Sequence, residues 1–166
     1  MVAYFDGTSP GDFPVDQNSH GTHVASIAVA LGDNNYGIRG VVPGQVLLGV
    51  GKFLGANNSG TTESALKVVQ WIQSDYQNRK KTNSSLRCVV NNSWDGGYSQ
   101  FLEDEMKKLA DMGCFLVTSA GNNARNNDQT PDYPCNYQKI KSQSICVAAT
   151  DSRDKRAVFS SYGPKS

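Results

Sequence analysis

The chain's two histidines lie three residues apart in Asn18-Ser19-His20-Gly21-Thr22-His23-Val24-Ala25-Ser26. A polar residue ahead of a small and apolar run marks a helix start, so Asn18 or Ser19 is expected to cap a helix by accepting a backbone N–H bond. Gly21, Ala25 and Ala28 are small enough for that helix to approach its neighbours closely. At the positive end of a helix the dipole disfavours imidazolium, and a neutral imidazole is a general base near pH 7. His20 is therefore the candidate for proton abstraction. A His-x-x-His pair could also suggest a metal, but no third ligand or general-base glutamate stands nearby, and His23 is read as a packed or hydrogen-bonded histidine. Further on, Ser119-Ala120-Gly121-Asn122-Asn123 follows an apolar run. By residue type alone it is a turn, since Gly and Asn tolerate a left-handed backbone.

The elements that must position these groups follow from hydrophobic period. Residues 45–53 read as a buried strand, after which Ala65, Val68, Val69, Ile72 and Tyr76 recur at helical spacing. Polar residues 74–85, with Arg79, Lys80 and Lys81, read as a solvated loop. A strand at 86–91 precedes a second amphipathic helix that turns Leu102, Met106 and Leu109 inward and Glu103, Asp104, Lys107 and Lys108 outward, ending at Gly113. Strands at 114–118 and 145–149 follow. This alternation implies right-handed crossovers and an α/β domain with a mainly parallel sheet covered on both faces.

Bulk properties exclude several functions. At 166 residues and net charge +1, the chain suits one globular domain and offers no electrostatic reason to bind nucleic acid. No apolar run approaches the roughly 20 residues that span a bilayer, and the first residues lack the basic-then-apolar order of a signal peptide. The four cysteines show no Cys-x-x-Cys spacing, which removes the common zinc and redox signatures. Cys88 and Cys114 each stand five residues before Ser93 and Ser119; side by side in a parallel sheet, they are read as free core thiols. For Cys135 and Cys146 a local disulfide and separate thiols both stay open. Asn57-Asn58-Ser59 and Asn83-Ser84-Ser85 are glycosylation sequons of low specificity. Gly49-Val50-Gly51 followed by Gly55 lacks the spacing of a dinucleotide loop and does not open a helix.

Four strings stand in order: His20-Gly21-Thr22-His23-Val24-Ala25, Asn91-Asn92-Ser93-Trp94, Ser119-Ala120-Gly121-Asn122-Asn123 and Phe159-Ser160-Ser161-Tyr162-Gly163. With them the chain resembles subtilisin-like serine proteases, in particular the subtilisin and proteinase K branch, over nearly all its length. The resemblance implies a three-layer sandwich, a mainly parallel central sheet between helices, here incomplete at both ends, so that residues 1–166 form a partial catalytic domain. It implies that His20 is the general base of an Asp-His-Ser triad and that the Asn122 amide donates to the developing oxyanion. It also implies two extended edges, Asn57-Asn58-Ser59-Gly60 and Ser93-Trp94-Asp95-Gly96, that take a peptide or protein substrate as an added strand. Asn58, Ser59, Gly60, Ser93, Trp94, Asp95, Ser119 and Gly121 are thus the candidate substrate contacts. Relatives usually carry glycine where Asp95 stands, beside the pocket for the residue preceding the cut bond; a carboxylate there would favour Lys or Arg, or merely narrow the pocket. The loop Leu31-Gly32-Asp33-Asn34-Asn35-Tyr36-Gly37-Ile38 resembles a calcium turn with Asn34 as ligand, and a plain Asn-rich turn stays open beside it. The chemistry itself needs no cofactor, the family habit is secretion, and a monomer is expected if the domain is complete.

In such enzymes the aspartate lies roughly thirty residues before the histidine and the serine roughly 160 after it. Only 19 residues precede His20 and 146 follow it. Both triad partners are thus expected outside the chain, with Asp6 read as a surface-turn aspartate and Gly7-Thr8-Ser9-Pro10 as a turn. By itself the chain is expected not to turn over peptides, and a catalytically inactive peptide-binding homologue is the alternative.

Overall fold

A computed structural model describes residues 2–44 and 46–164. The chain divides into two compact units, Met1–Ser74 and Asp75–Ser166. In the first, β1 (Val2–Asp6) and β2 (Leu48–Lys52) run parallel, with Phe5 opposite Gly51 and Asp6 opposite Lys52, and α1 (His20–Val29) lies between them in sequence. The expected strand at 45–53 is thereby trimmed, and its first residue, Gln45, lies outside the described residues. The helix α2 (Thr62–Thr82) follows β2 and packs its amino-terminal half on the pair. Trp71 stacks on Phe5 at 5.8 Å between ring centroids. Gly51 allows this approach, because a Cβ there would lie 2.4 Å from Cγ1 of Val68, closer than any packed contact. Thr61 starts α2: its hydroxyl accepts the Ser64 N–H at 3.1 Å, and the Ser64 hydroxyl donates to the Phe53 carbonyl at 3.1 Å.

Helix α2 does not stop where polarity increases. It runs to Thr82, through most of the segment 74–85 expected as a loop. Asp75 and Arg79 pair one turn apart at 2.7 Å, and Arg79, Lys80 and Lys81 in the last turn face the negative end of the dipole. A charged helix face looks like a loop when only apolar period is counted.

In the second unit β3 (Cys88–Asn92), β4 (Cys114–Ser119) and β5 (Ser144–Val147) form a parallel sheet with β4 in the centre. Helix α3 (Gln100–Asp111) begins at Ser99, whose hydroxyl accepts the Leu102 N–H. Its Leu102, Met106 and Leu109 are buried as expected, along with Leu116 of β4 and Ile140 of the 3-10 helix Gln138–Gln143. Glu103, expected outward, is buried instead. Its carboxylate accepts the Tyr98 hydroxyl at 3.1 Å and the Lys139 N–H at 3.0 Å, which is what allows a charged group inside. On the alternate face of the sheet Val89, Phe115, Ile145 and Val147 are exposed.

The free-thiol reading of Cys88 and Cys114 is overturned. They are exact partners in the β3–β4 register and form a disulfide, as do Cys135 and Cys146. Among the described residues no helix is long and apolar enough to cross a membrane. Every strand pairing in both sheets is parallel, with helical connections between strands, so the architecture is α/β.

Candidate active-site segments

His20 is the first residue of α1, as its context requires. The cap comes from a different residue than expected. Ser19 has a left-handed backbone, φ 76°, and makes no side-chain cap, while the Asn18 amide donates to the Ala56 carbonyl at 3.0 Å. The capping group is Asp16. One of its oxygens accepts the Asn18 and Ser19 N–H groups at 2.9 and 2.8 Å; the other accepts the Thr22 N–H at 2.8 Å and the Thr22 hydroxyl at 2.6 Å. The Thr22 hydroxyl, and then the backbone N–H groups, hold the Asp16 carboxyl far below the usual carboxylate range. The carboxylate also completes the helix's positive end. None of α1 is buried, so the expected close packing through Gly21, Ala25 and Ala28 is not realised. Instead the backbone N–H groups of Gly40, Val41 and Val42 cap the carbonyls of Ala30, Ile27 and Ala28.

His20 lines an open cleft of about 930 Å³ together with Asn18, His23, Asn34, Tyr36 and Ile38. His23, expected to be packed or hydrogen-bonded, is exposed on α1. Among the described residues no cluster of three His, Cys, Asp or Glu side chains could hold a metal. In the 31–38 loop the side chains of Asn34 and Asp33 make contacts within the chain. Asn34 Oδ1 accepts the Tyr36 N–H at 3.0 Å, and Asp33 is paired with Arg39.

Asp6 is not a surface-turn aspartate. It ends β1, is 3% exposed, and accepts the Thr8 N–H, the Thr8 hydroxyl and the Ser9 N–H. Lys52 pairs with its second oxygen at 3.1 Å. Burial pushes its carboxyl up, but the Thr8, Lys52 and Ser9 bonds together outweigh burial and hold it below the ordinary aspartate value.

The segment 57–60, expected extended, closes on itself. The Gly55 N–H donates to the Ser59 carbonyl at 2.9 Å, the Asn58 N–H to the Gly55 carbonyl at 3.0 Å, and the Asn57 side chain accepts the Ser59 N–H. Asn58 has φ 58°, and Asn58, Ser59 and Gly60 are all exposed. The segment 93–96 keeps the extended path: it leaves β3 and forms an antiparallel bridge from Gly96 to Tyr133, with N–H to carbonyl distances of 2.9 and 3.3 Å. The Ser93 hydroxyl accepts the Asn91 amide at 2.8 Å.

Residues 119–122 leave the carboxyl end of β4. Ser119 Oγ accepts the Gly121 N–H at 3.1 Å. Gly121 sits at φ 93°, a region that side chains other than glycine's enter at a cost, and after it Asn122 is exposed on a bend. The fourth motif holds this turn. Ser161 N–H donates to the Gly121 carbonyl at 2.9 Å, and its hydroxyl accepts the Asn123 and Arg125 N–H groups. The Ser160 hydroxyl accepts the Ala149 N–H at 2.9 Å. Buried Asn127 donates to the Ala120 carbonyl at 2.9 Å. Ser93, Trp94, Asp95, Ser119, Gly121 and Asn122 therefore all lie at the carboxyl ends of adjacent parallel strands, where open α/β sheets bind ligands.

Sequence reasoning missed three groups: Asp16, Asn127 and Asp132. Asp16 had a signal, an Asx residue just ahead of a helix start. Asp132 had none, since its surroundings come from distant loops. It is 9% exposed, and burial, then the Asp95 charge, push its carboxyl up against the opposing pull of the Tyr133 N–H and Arg125.

At the carboxyl edge of this parallel sheet stand a strand-end turn that carries a side-chain amide and, from the adjacent strand, the bridged 93–96 segment. The chain belongs to the Subtilase family, peptidase S8, whose profile matches residues 4–166. It is 37% identical over 149 residues to the subtilisin-like serine protease AsES of Sarocladium strictum, covering 89% of this chain and 34% of that protein. It is 32% identical over 163 residues to thermitase of Thermoactinomyces vulgaris, covering 98% and 52%. A solved cold-adapted subtilisin-like serine proteinase superposes with a TM-score of 0.72 at 28% identity, covering 98% of this chain and 52% of that one. The chain thus spans about a third to a half of the length of these three proteins.

Proposed function

We propose that the chain carries two working parts of a serine-type endopeptidase, His20 as general base and Asn122 as oxyanion donor. In that chemistry His20 takes the proton of a serine hydroxyl as it attacks the peptide carbonyl, then passes it to the leaving amine. The Asn122 amide donates to the oxygen that gains charge in between. The observation that carries this reading is the exposure of Asn122 immediately after the left-handed Gly121, at the carboxyl end of the central strand β4. The extended segment at Ser93, Trp94 and Asp95 is assigned to binding peptide backbone as an added strand, with Ser119 and Gly121 lining the pocket. Asn58, Ser59 and Gly60 are assigned to a second substrate edge through the backbone groups their turn leaves exposed. No cofactor takes part, and the protein acts as a monomer on peptide or protein substrates.

None of the motif matches supplies the triad's serine or aspartate, so hydrolysis is proposed for the whole enzyme and peptide binding without turnover for residues 1–166 alone. Relatives include an extracellular serine proteinase of Thermus and a minor extracellular protease of Bacillus subtilis. With two disulfides in this chain, they support secretion. The test is to titrate the chain with a fluorescent peptide while following cleavage. Saturable binding without cleavage is expected; absence of binding would overturn the groove, and cleavage would show a nucleophile within the chain itself.

A further inference from the structure

Two carboxylates converge on the face of Gly121. A methyl group at residue 121 would lie 2.6 Å from Oδ2 of Asp132 and 3.4 Å from Oδ2 of Asp95. The two oxygens are therefore no farther apart than those distances laid end to end. The backbone holds them there. Gly96, next after Asp95, and Tyr133, next after Asp132, are the two residues of the antiparallel bridge. The Asp132 N–H donates to Asn136 Oδ1 at 3.0 Å, and its Oδ1 accepts the Tyr133 N–H at 3.2 Å, which leaves Oδ2 as the oxygen on the Gly121 side. Asp132 is buried and Asp95 exposed, so one carboxylate sits deep and the other near solvent.

We propose that Asp132 and Asp95 are the walls of an anionic recess over Gly121 that takes the cationic side chain of a substrate Lys or Arg, the residue preceding the cut bond. This rests on the endopeptidase reading and narrows it to a substrate class. Two like charges facing across a small space repel, and burial makes the repulsion costly. The rise in the Asp132 carboxyl through burial and Asp95 has the same origin, with the Tyr133 N–H, Arg125 and the Asn123 side chain only partly compensating. An ammonium or guanidinium between them relieves both terms at once, and a charge-assisted bond to a desolvated carboxylate outweighs one in water. A leucine or phenylalanine would leave the two carboxylates unrelieved. The absence of a Cβ at Gly121 is what lets the Asp132 carboxylate come this close to the backbone.

The test uses the 166-residue chain and two kinds of probe. Fluorescent peptides that share one sequence and end in Lys, Arg, Leu or Phe report groove and recess together. Benzamidinium, followed by the NMR shift of the Gly121 amide, reports the recess alone. Lys and Arg peptides are expected to bind at least tenfold more tightly than Leu and Phe peptides. Asp132→Asn should reduce that ratio to near one, and so should Asp95→Asn, an exposed position whose variant keeps its fold. Benzamidinium should shift Gly121 in the parent chain and not in either variant. Equal binding of all four peptides, or a preference for Phe, overturns the recess and leaves the groove standing. Benzamidinium binding without any peptide binding keeps the recess and overturns the groove. If benzamidinium leaves the Gly121 amide unshifted, the recess is refuted.

Discussion

Replacing Asp6 by alanine is expected to cost about 3–5 kcal/mol of stability, the range for breaking a buried ion pair by removing one partner. The structure sets this size. The carboxylate is the acceptor for three donors, Thr8 N–H, Thr8 Oγ1 and Ser9 N–H, and the partner of Lys52, whose side chain is 17% exposed. Truncation leaves an ammonium with little water and three donors without an acceptor. For a chain of this size each kcal/mol moves Tm by roughly 2–4 °C, so a fall of about 6–20 °C is expected in circular-dichroism melts. A double-mutant cycle with Lys52→Met isolates the pair, and the double variant should be less destabilised than the sum of the singles. The pH dependence has a definite sign. Because the Asp6 carboxyl titrates below its ordinary value in the folded state, its contribution is fully present above the unfolded value and is lost as pH falls through the folded one. A loss under about 1 kcal/mol with no coupling to Lys52 would refute the buried-pair account.

Four further outcomes follow. Reducing both disulfides should cost about 2–4 kcal/mol each by restoring freedom to the unfolded chain, read as a lower denaturant midpoint with dithiothreitol; reactive thiols in the native, unreduced chain would contradict the pairing. Asp16→Ala should cost about 1 kcal/mol by uncapping α1, with faster hydrogen exchange at Thr22 as the local readout. Calcium should leave Tm unchanged, since Asn34 and Asp33 are engaged within their own loop; a rise that saturates would restore the calcium turn. Asn127→Leu should destabilise the chain by about 1–3 kcal/mol, because the Ala120 carbonyl loses its donor.

What was legible in the sequence was whatever local chemistry determines. His20 at the start of α1, the inward face of α3 at Leu102, Met106 and Leu109, and the strands Cys88–Asn92 and Cys114–Ser119 follow from period and capping signals that neighbouring residues carry. The departures share a cause. The charged end of α2 is helical because i,i+4 pairing and the dipole replace apolar burial, which period counting does not weigh. Glu103 is buried because Tyr98 and Lys139, the latter 36 residues away, supply donors. Asp6 is buried because Lys52 arrives from the adjacent strand. The spacing of Cys88 and Cys114 to Ser93 and Ser119 places them side by side; the disulfide itself follows from the β3–β4 register, which makes them direct partners. In the candidate site, the motif strings located Asn122 and the 93–96 edge. Asp132 could not be found that way, since only the Gly96–Tyr133 bridge brings it to Gly121.

The central claim is that His20 moves the proton and Asn122 holds the oxyanion. Expressing this chain with whatever sequence flanks it in its gene, and measuring kcat and KM on a peptide anilide, tests it directly. In subtilisin, removing the asparagine donor costs about 10²–10³ in kcat. The same loss is predicted for Asn122→Ala with KM little changed, together with near-complete loss for His20→Ala. Hydrolysis at parental rates in both variants would contradict the account.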